Sequence, residues 1–231
     1  MTKDFSQFEQ KAGVSFIDKN LLRQAFTHRS YLNENRGTNL EHNERLEFLG
    51  DAVLELVVTD YLYKKYSQTP EGELTSYRSA LVNSTTLAQA ATDIGMNDFL
   101  LLSHGEAKDT GRARMYIMAN TFEAFLGALY LDQGYEPTKE FISKQIFHLI
   151  DEIVEKGLWM DAKSKFQEAS QEKEGVTPAY KTIKEVGPDH DKKFTVGVYL
   201  NNNLVITGEG KSKQEAEQNA AHKGLVEKQW M

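Results

Sequence analysis

Through residues 4–150 apolar side chains recur at steps of three and four. The runs are Leu21-Leu22-Ala25-Phe26, Leu46-Leu49-Val53-Leu54-Val57, Leu81-Leu87-Ala91 and Phe122-Phe125-Leu126-Leu129. That period is the signature of helix faces and predicts helix after helix. Breaks are expected at 35–38, at 67–72 around Pro70, and at 95–98. Thr69-Pro70-Glu71-Gly72-Glu73 reads as a helix start, with proline in the first turn and acids near the positive dipole end. After about residue 155 the period changes. A short amphipathic helix over 161–174 is followed by strand-like alternation over 179–186, 193–200 and 204–210. Asn201-Asn202-Asn203 predicts a hairpin turn, since asparagine tolerates positive φ. An alanine-rich helix over 212–229 closes the chain. The predicted architecture is multidomain: an all-α domain at 1–155, then a small α+β domain of order α-β-β-β-α at 160–231. No Pro/Ser-rich tract separates them, so the linker is short.

Composition narrows the class. The 231 residues, 40% hydrophobic and 26% charged, fit an ordinary globular protein. With no cysteine there is no disulfide and no thiolate metal site. No apolar run nears the ~20 residues of a membrane span, and the N-terminus lacks a signal-peptide core. These features predict a cytoplasmic protein with no membrane partner. The net charge of −7 is uneven. Residues 1–155 hold 15 Lys+Arg against 23 Asp+Glu, whereas residues 156–231 hold 12 against 11. Bulk charge therefore speaks against a polyanion at the first segment, and at the second leaves it to local lysine clusters.

One stretch stands out chemically. His42–Leu54 reads HNERLEFLGDAVL, with Glu44, Glu47 and Asp51 on one side of a helix at steps of three and four. Like charges so placed repel, and no Lys or Arg shares their row. A second site, Asn120-Thr121-Phe122-Glu123, sets an amide and a carboxylate three residues apart ahead of the apolar run AFLGALYL. If the two helices cross there, four oxygen donors meet, a set suited to a hard cation such as Mg²⁺, with Mn²⁺ as a substitute. Such clusters serve phosphoryl chemistry, in which metal activates water. The competing reading is structural: Glu44 or Glu47 paired with Arg29, Arg78 or Arg114 from another helix. A di-iron bundle would need Glu-x-x-His pairs, which the chain lacks. No organic cofactor motif is found.

Gly208-Glu209-Gly210-Lys211-Ser212 resembles the end of a phosphate-binding loop, but the first glycine of that motif would fall at Val205. As a helix start it makes better sense, with free amides, Lys211 and Lys213 directed at a phosphate and Ser212 as a cap. The six histidines form no ligand pattern. His28 is expected inside an apolar helix. His190, in the loop Gly187-Pro188-Asp189-His190-Asp191, is within reach of a nucleic-acid groove or is simply solvated.

HNERLEFLGDAVL, framed by AFTHRSY at 25–31, EGELTSYRSALV at 71–82 and ANTFEAFLGALYLDQGY at 119–135, resembles the ribonuclease III family. KSKFQEASQ at 163–171, the GPDH loop and GEGKSKQEAEQNAA at 208–221 resemble the double-stranded-RNA-binding domain. The resemblance covers nearly the whole chain. It implies a homodimeric, Mg²⁺-dependent endonuclease that cuts double-stranded RNA to 5′-phosphates with short 3′ overhangs and processes ribosomal precursor RNA and some mRNAs. Residue by residue, it makes Glu47, Asp51, Asn120 and Glu123 metal ligands, with Asp51, Glu123 and Glu44 catalytic acids. Phe48 matches an aromatic lodged in the partner subunit. Ser164, Gln167 and Glu168 match a minor-groove face, His190 the loop entering the next minor groove, and Lys211, Ser212 and Lys213 the phosphate-binding helix start. This mode reads A-form shape rather than sequence. Two departures stand out. The family usually has Asp where this chain has Asn120, and often Lys where it has Gln214. Asn120 opens one alternative: a protein that grips duplex RNA without cutting it.

Overall fold

The computed structural model describes residues 3–157, 159, 161–188 and 192–230. It divides into two compact units, Met1–Trp159 and Met160–Met231. The first is all helical: α1 (Phe5–Ala12), α2 (Lys19–Ala25), α3 (Arg29–Glu34), α4 (Glu44–Lys65), α5 (Glu71–Leu81), α6 (Ser84–Asp93), α7 (His104–Lys108), α8 (Arg112–Gln133), α9 (Tyr135–Ile146) and α10 (Ile150–Glu155), with 3-10 turns at Met96–Phe99 and Phe147–Leu149. α8 is the axis of this unit. Its residues from Met118 to Leu129 are buried almost without interruption, the pattern of a helix enclosed on all sides. Phe125 meets Phe8 edge-on at 5.4 Å between ring centroids, and Phe8 meets Phe26 at 4.8 Å, so α1 and α2 close over α8 through aromatic contacts.

The segment 25–31 stitches the start of α4 in place. Leu101 N donates to Phe26 O at 2.8 Å and His28 N to Leu101 O at 3.1 Å. Buried Asn43 donates from Nδ2 to Ala25 O at 3.1 Å and from its backbone N to Thr27 O at 2.9 Å. His28 does not lie inside a helix as expected: it caps α3, where its ring accepts from Ser30 N. Pro70 likewise stands just before α5 rather than in its first turn.

The second unit comprises α11 (Ala162–Glu174), the antiparallel strands β1 (Ala179–Val186), β2 (Lys193–Leu200) and β3 (Asn203–Gly210) in that order, and α12 (Lys213–Glu227). The hairpin loop is two residues, Asn201 and Asn202, both at positive φ (49° and 66°), while Asn203 already pairs with Leu200. Phe166, Val198, Leu200, Ala220, Ala221 and Leu225 form the core. Small residues let α12 lie directly on β3: a Cβ at Gly208 would stand 2.2 Å from Ala220 N. Among the described residues no helix is long and apolar enough to cross a membrane.

Candidate active site

The two 22-residue helices α4 and α8 cross without side chains between them. A Cβ on Gly50 would lie 1.7 Å from the Glu123 carbonyl oxygen, and one on Gly127 would lie 2.1 Å from that of Leu46. Backbone therefore touches backbone, as only glycine at both positions permits. The helices run antiparallel through this contact, so the turn bearing Glu47 and Asp51 faces the turn bearing Asn120 and Glu123. The acids feel one another. Burial first, then the charges of Asp51, Glu47 and Glu55, push the Glu123 carboxyl up to about 7. Burial also raises Glu47, helped by Glu44 and Asp51, while a hydrogen bond from the Asn120 side chain partly offsets the rise.

The arginines considered as partners divide unequally. Arg29 Nη1 approaches Glu44 Oε1 at 3.6 Å, with His42 Nδ1 3.7 Å from the other oxygen. Arg78 Nε holds Glu55 Oε2 at 2.7 Å and its Nη1 donates to Thr59 Oγ1 at 3.0 Å. Arg114 turns away to the carbonyls of Glu106 and Asp109. The acidic row of α4 thus extends one turn further than expected, to Glu55, and is clamped by arginine at both ends. Among the described residues, Glu47, Asp51 and Glu123 in the middle have no Lys, Arg or His ion-pair partner. The donor set there is all oxygen and carries unbalanced negative charge, which fits a hard divalent cation. No three of the described Asp, Glu and His side chains already converge as tightly as a metal requires. Exposed Asp51 and half-buried Glu47 have room to adjust.

The raised carboxyl has a thermodynamic consequence. Unfolded, Glu123 loses its proton near the usual 4.5; folded, it holds it to about 7. Between these values the folded state binds more protons, so stability present below pH 4.5 is lost as pH climbs toward 7. For a side chain still partly in contact with solvent the loss is on the order of 2 kcal/mol. Urea unfolding in chelator is expected to show it as a stability difference between pH 5 and pH 8 that shrinks in Glu123→Gln.

In the second unit Ser164, Gln167 and Glu168 are exposed on one face of α11, although the Ser164 hydroxyl donates to Asp161 Oδ2 at 2.8 Å. Ser212 caps α12, accepting from Glu215 N at 3.1 Å, and Lys211 N donates to Glu215 Oε2 at 2.7 Å. Lys211 and Lys213 are exposed beside it. His190 lies outside the described residues. In the first unit Phe48 stands 81% exposed on α4. With Leu21, Leu46, Leu49 and Leu131 it lines a cavity of about 580 Å³, the rest of whose wall is polar, from Gln24, Glu41, His42, Glu44 and Arg45.

Comparison with known proteins matches both units. The Ribonuclease-III-like family matches residues 18–150 and the double-stranded RNA binding motif matches residues 162–227. Ribonuclease 3 of Enterococcus faecalis is 48% identical over 223 residues, spanning 95% of each chain. The chain belongs to the ribonuclease III family. Ribonuclease 3 of Bacillus cereus is 46% identical over 221 residues, 96% of this chain and 90% of the relative. Among solved structures, the nuclease domain of ribonuclease III from Campylobacter jejuni matches with a TM-score of 0.55 at 39% identity, covering 62% of this chain and 98% of that one. That structure is described for flexibility in a region involved in dimer formation. This ribonuclease III-type chain is accordingly an endoribonuclease for double-stranded RNA.

Within this ribonuclease III fold, the residues that sequence reasoning overlooked are Gly50 and Gly127, which set the crossing, and the Glu55–Arg78 pair. A usable signal existed for the glycines. Each sits mid-helix in an apolar run, where glycine costs about 1 kcal/mol relative to alanine and so implies a close approach. Arg78 is among the candidate partners of Glu44 or Glu47, but that it takes Glu55 instead is set by the packing of α5 against α4.

Proposed function

We propose that the first unit hydrolyses phosphodiester bonds of duplex RNA with Mg²⁺, leaving 5′-phosphates and short 3′ overhangs, while the second grips the duplex. The observation that carries this reading is the Gly50–Gly127 crossing, which brings Glu123 into the field of Glu47 and Asp51. Glu47, Asp51, Asn120 and Glu123 would hold the cation, with Mn²⁺ an acceptable substitute. Bound there, a divalent cation supplies an activated water and neutralises charge on the leaving oxygen. Glu44, tied to Arg29, shapes the rim of the acidic centre. Ser164, Gln167, Glu168 and His190 take minor-groove contacts, and Lys211, Ser212 and Lys213 take phosphates at the α12 start. Ribosomal precursor RNA suits such an enzyme as substrate, and the cytoplasm as its location.

Cleavage of a long RNA duplex in Mg²⁺ tests the reading: the unmodified chain is expected to cut and Glu123→Ala not to. Equal cutting by both would overturn the site assignment. Asn120 favours a second reading, duplex binding without cleavage, because an amide gives the centre one negative charge fewer than Asp would. That reading stands if the unmodified chain shifts duplex RNA in a gel yet leaves it whole in Mg²⁺ while Asn120→Asp cuts.

The same reading includes a homodimer. An exposed Phe48 on the wall of a cavity that also offers four leucines lets two copies of this surface meet about a two-fold axis, so each contact occurs twice. Burying a phenylalanine contributes about 2 kcal/mol, doubled here. Phe48→Ala is therefore expected to weaken dimerisation about 10²–10³-fold by analytical ultracentrifugation. An unchanged dimer constant would remove Phe48 from the interface.

A further inference from the structure

Lys213 is already engaged in the free protein. Its Nζ lies 2.8 Å from Glu185 Oε1 and 5.7 Å from the centroid of the Phe194 ring. Sheet register explains this reach. Glu185 on β1 pairs with Phe194 on β2, and Phe194 pairs with Gly210 on β3, so one row crosses the sheet and ends beneath the first turn of α12. Gly210 lets that turn come down onto the strand, since a Cβ there would lie 2.5 Å from Ala216 N. The lysine stem therefore passes over an aromatic ring, and its ammonium meets a carboxylate two strands away. The bond from Lys213 holds the Glu185 carboxyl below its usual range. A second carboxylate, that of Glu215, accepts from Lys211 N at the same helix start.

We propose that Glu185 is an internal competitor that sets the affinity of the α12 start for polyanions: it competes with RNA phosphate for Lys213, so any polyanion gains this contact only by displacing a carboxylate. The proposal rests on the reading that Lys213 meets phosphate. The displacement costs every polyanion that reaches Lys213 the same free energy, whatever its other contacts. Single-stranded RNA or heparin, touching the helix start alone, begins from a lower affinity and is the first to fall below a working concentration. Glu185 thereby sets a uniform threshold that a ligand with further contacts on the α11 face clears. Its lysine is also neutralised in advance, so fewer counterions leave on binding and the salt dependence is shallower.

Binding by the full chain is measured in chelator, where RNA is not cut, with three probes: an RNA duplex of about 20 base pairs, a single strand of the same length, and heparin. Glu185→Gln is expected to tighten all three probes by the same factor, about two- to five-fold, the range an exposed ion pair supplies. Its salt slope should steepen by up to about one. In a Lys213→Gln background the same change should do much less, since only the weaker influence of Glu185 on Lys192 is left. If Lys213→Gln alone leaves duplex affinity intact, it is the phosphate reading of Lys213 that fails. If Lys213→Gln weakens the duplex but Glu185→Gln acts equally in both backgrounds, Glu185 is merely a distant charge and the proposal is overturned. Unchanged binding of all three probes overturns it as well, and so does weaker binding with a lowered Tm, which would make the ion pair structural.

Discussion

The Glu123→Gln variant is expected to be inactive with Mg²⁺ and more stable than the unmodified chain without it. Both effects come from the same carboxylate. In the folded chain its ionisation is opposed by burial and by Asp51, Glu47 and Glu55, which push it up to about 7. Glutamine keeps the shape and removes the charge, so at pH 8 in chelator the variant should gain on the order of 2 kcal/mol, a Tm rise of several degrees. Activity moves the other way. Charge stabilisation by a catalytic cation amounts to several kcal/mol, and each 1.36 kcal/mol is a factor of ten, so cleavage should fall about 10²–10⁴-fold. Duplex binding should survive, because the α11 and α12 residues are untouched. Calorimetry with Mg²⁺ adds a third reading: the unmodified chain should be stabilised by the ion at pH 8 and the variant should not. A variant that loses stability in chelator would mean that Glu123 is a structural group and that the acids do not repel one another as the geometry implies.

Gly50→Ala is expected to have the largest effect on folding of any single-methyl change in the first unit. The added carbon would occupy space 1.7 Å from the Glu123 carbonyl oxygen, and that oxygen belongs to the backbone of a buried helix. No rotamer can relieve the clash. α4 and α8 must separate, at a cost above the roughly 1–3 kcal/mol of ordinary overpacking, and the loss spreads through the core they share. Helix propensity alone would predict the opposite sign, since alanine is favoured over glycine by about 1 kcal/mol. Urea unfolding thus distinguishes the two directly. Any fraction that folds should cut poorly, because Glu47 and Asp51 move away from Glu123. Gly72→Ala serves as the control: nothing lies within 4 Å of its added carbon, and it should be neutral or slightly stabilising.

The elements read from periodicity correspond closely to those formed. β1 and β2 run over the expected residues, and α11 and α12 begin one residue inside the expected helices because Asp161 and Ser212 act as caps. The differences are local. His28 caps a helix instead of lying in one, since the short α3 has no apolar period of its own to announce it. The acidic row is read from the sequence as far as Asp51; Glu55 continues it at the same step of four, and only the fold shows that Arg78 answers its charge.

By itself the sequence determined what depends on spacing along one chain: the helical and α+β halves, a hairpin turn within the asparagine run, the acids on one side of α4, and the family motifs that carry the resemblance. Those follow from local periods of two and 3.6 residues and from side-chain chemistry, which need no partner. Tertiary structure alone decided the rest. It determined that α4 and α8 meet backbone to backbone, that Arg29 and Arg78 clamp the ends of the acidic row and leave its middle acids without an ion-pair partner among the described residues, that Phe48 lines an open cavity, and that Glu185 captures Lys213. Each of these is a contact between residues far apart in sequence. Such contacts depend on burial, close approach and charge in three dimensions, and none of these has a period that a single chain can display.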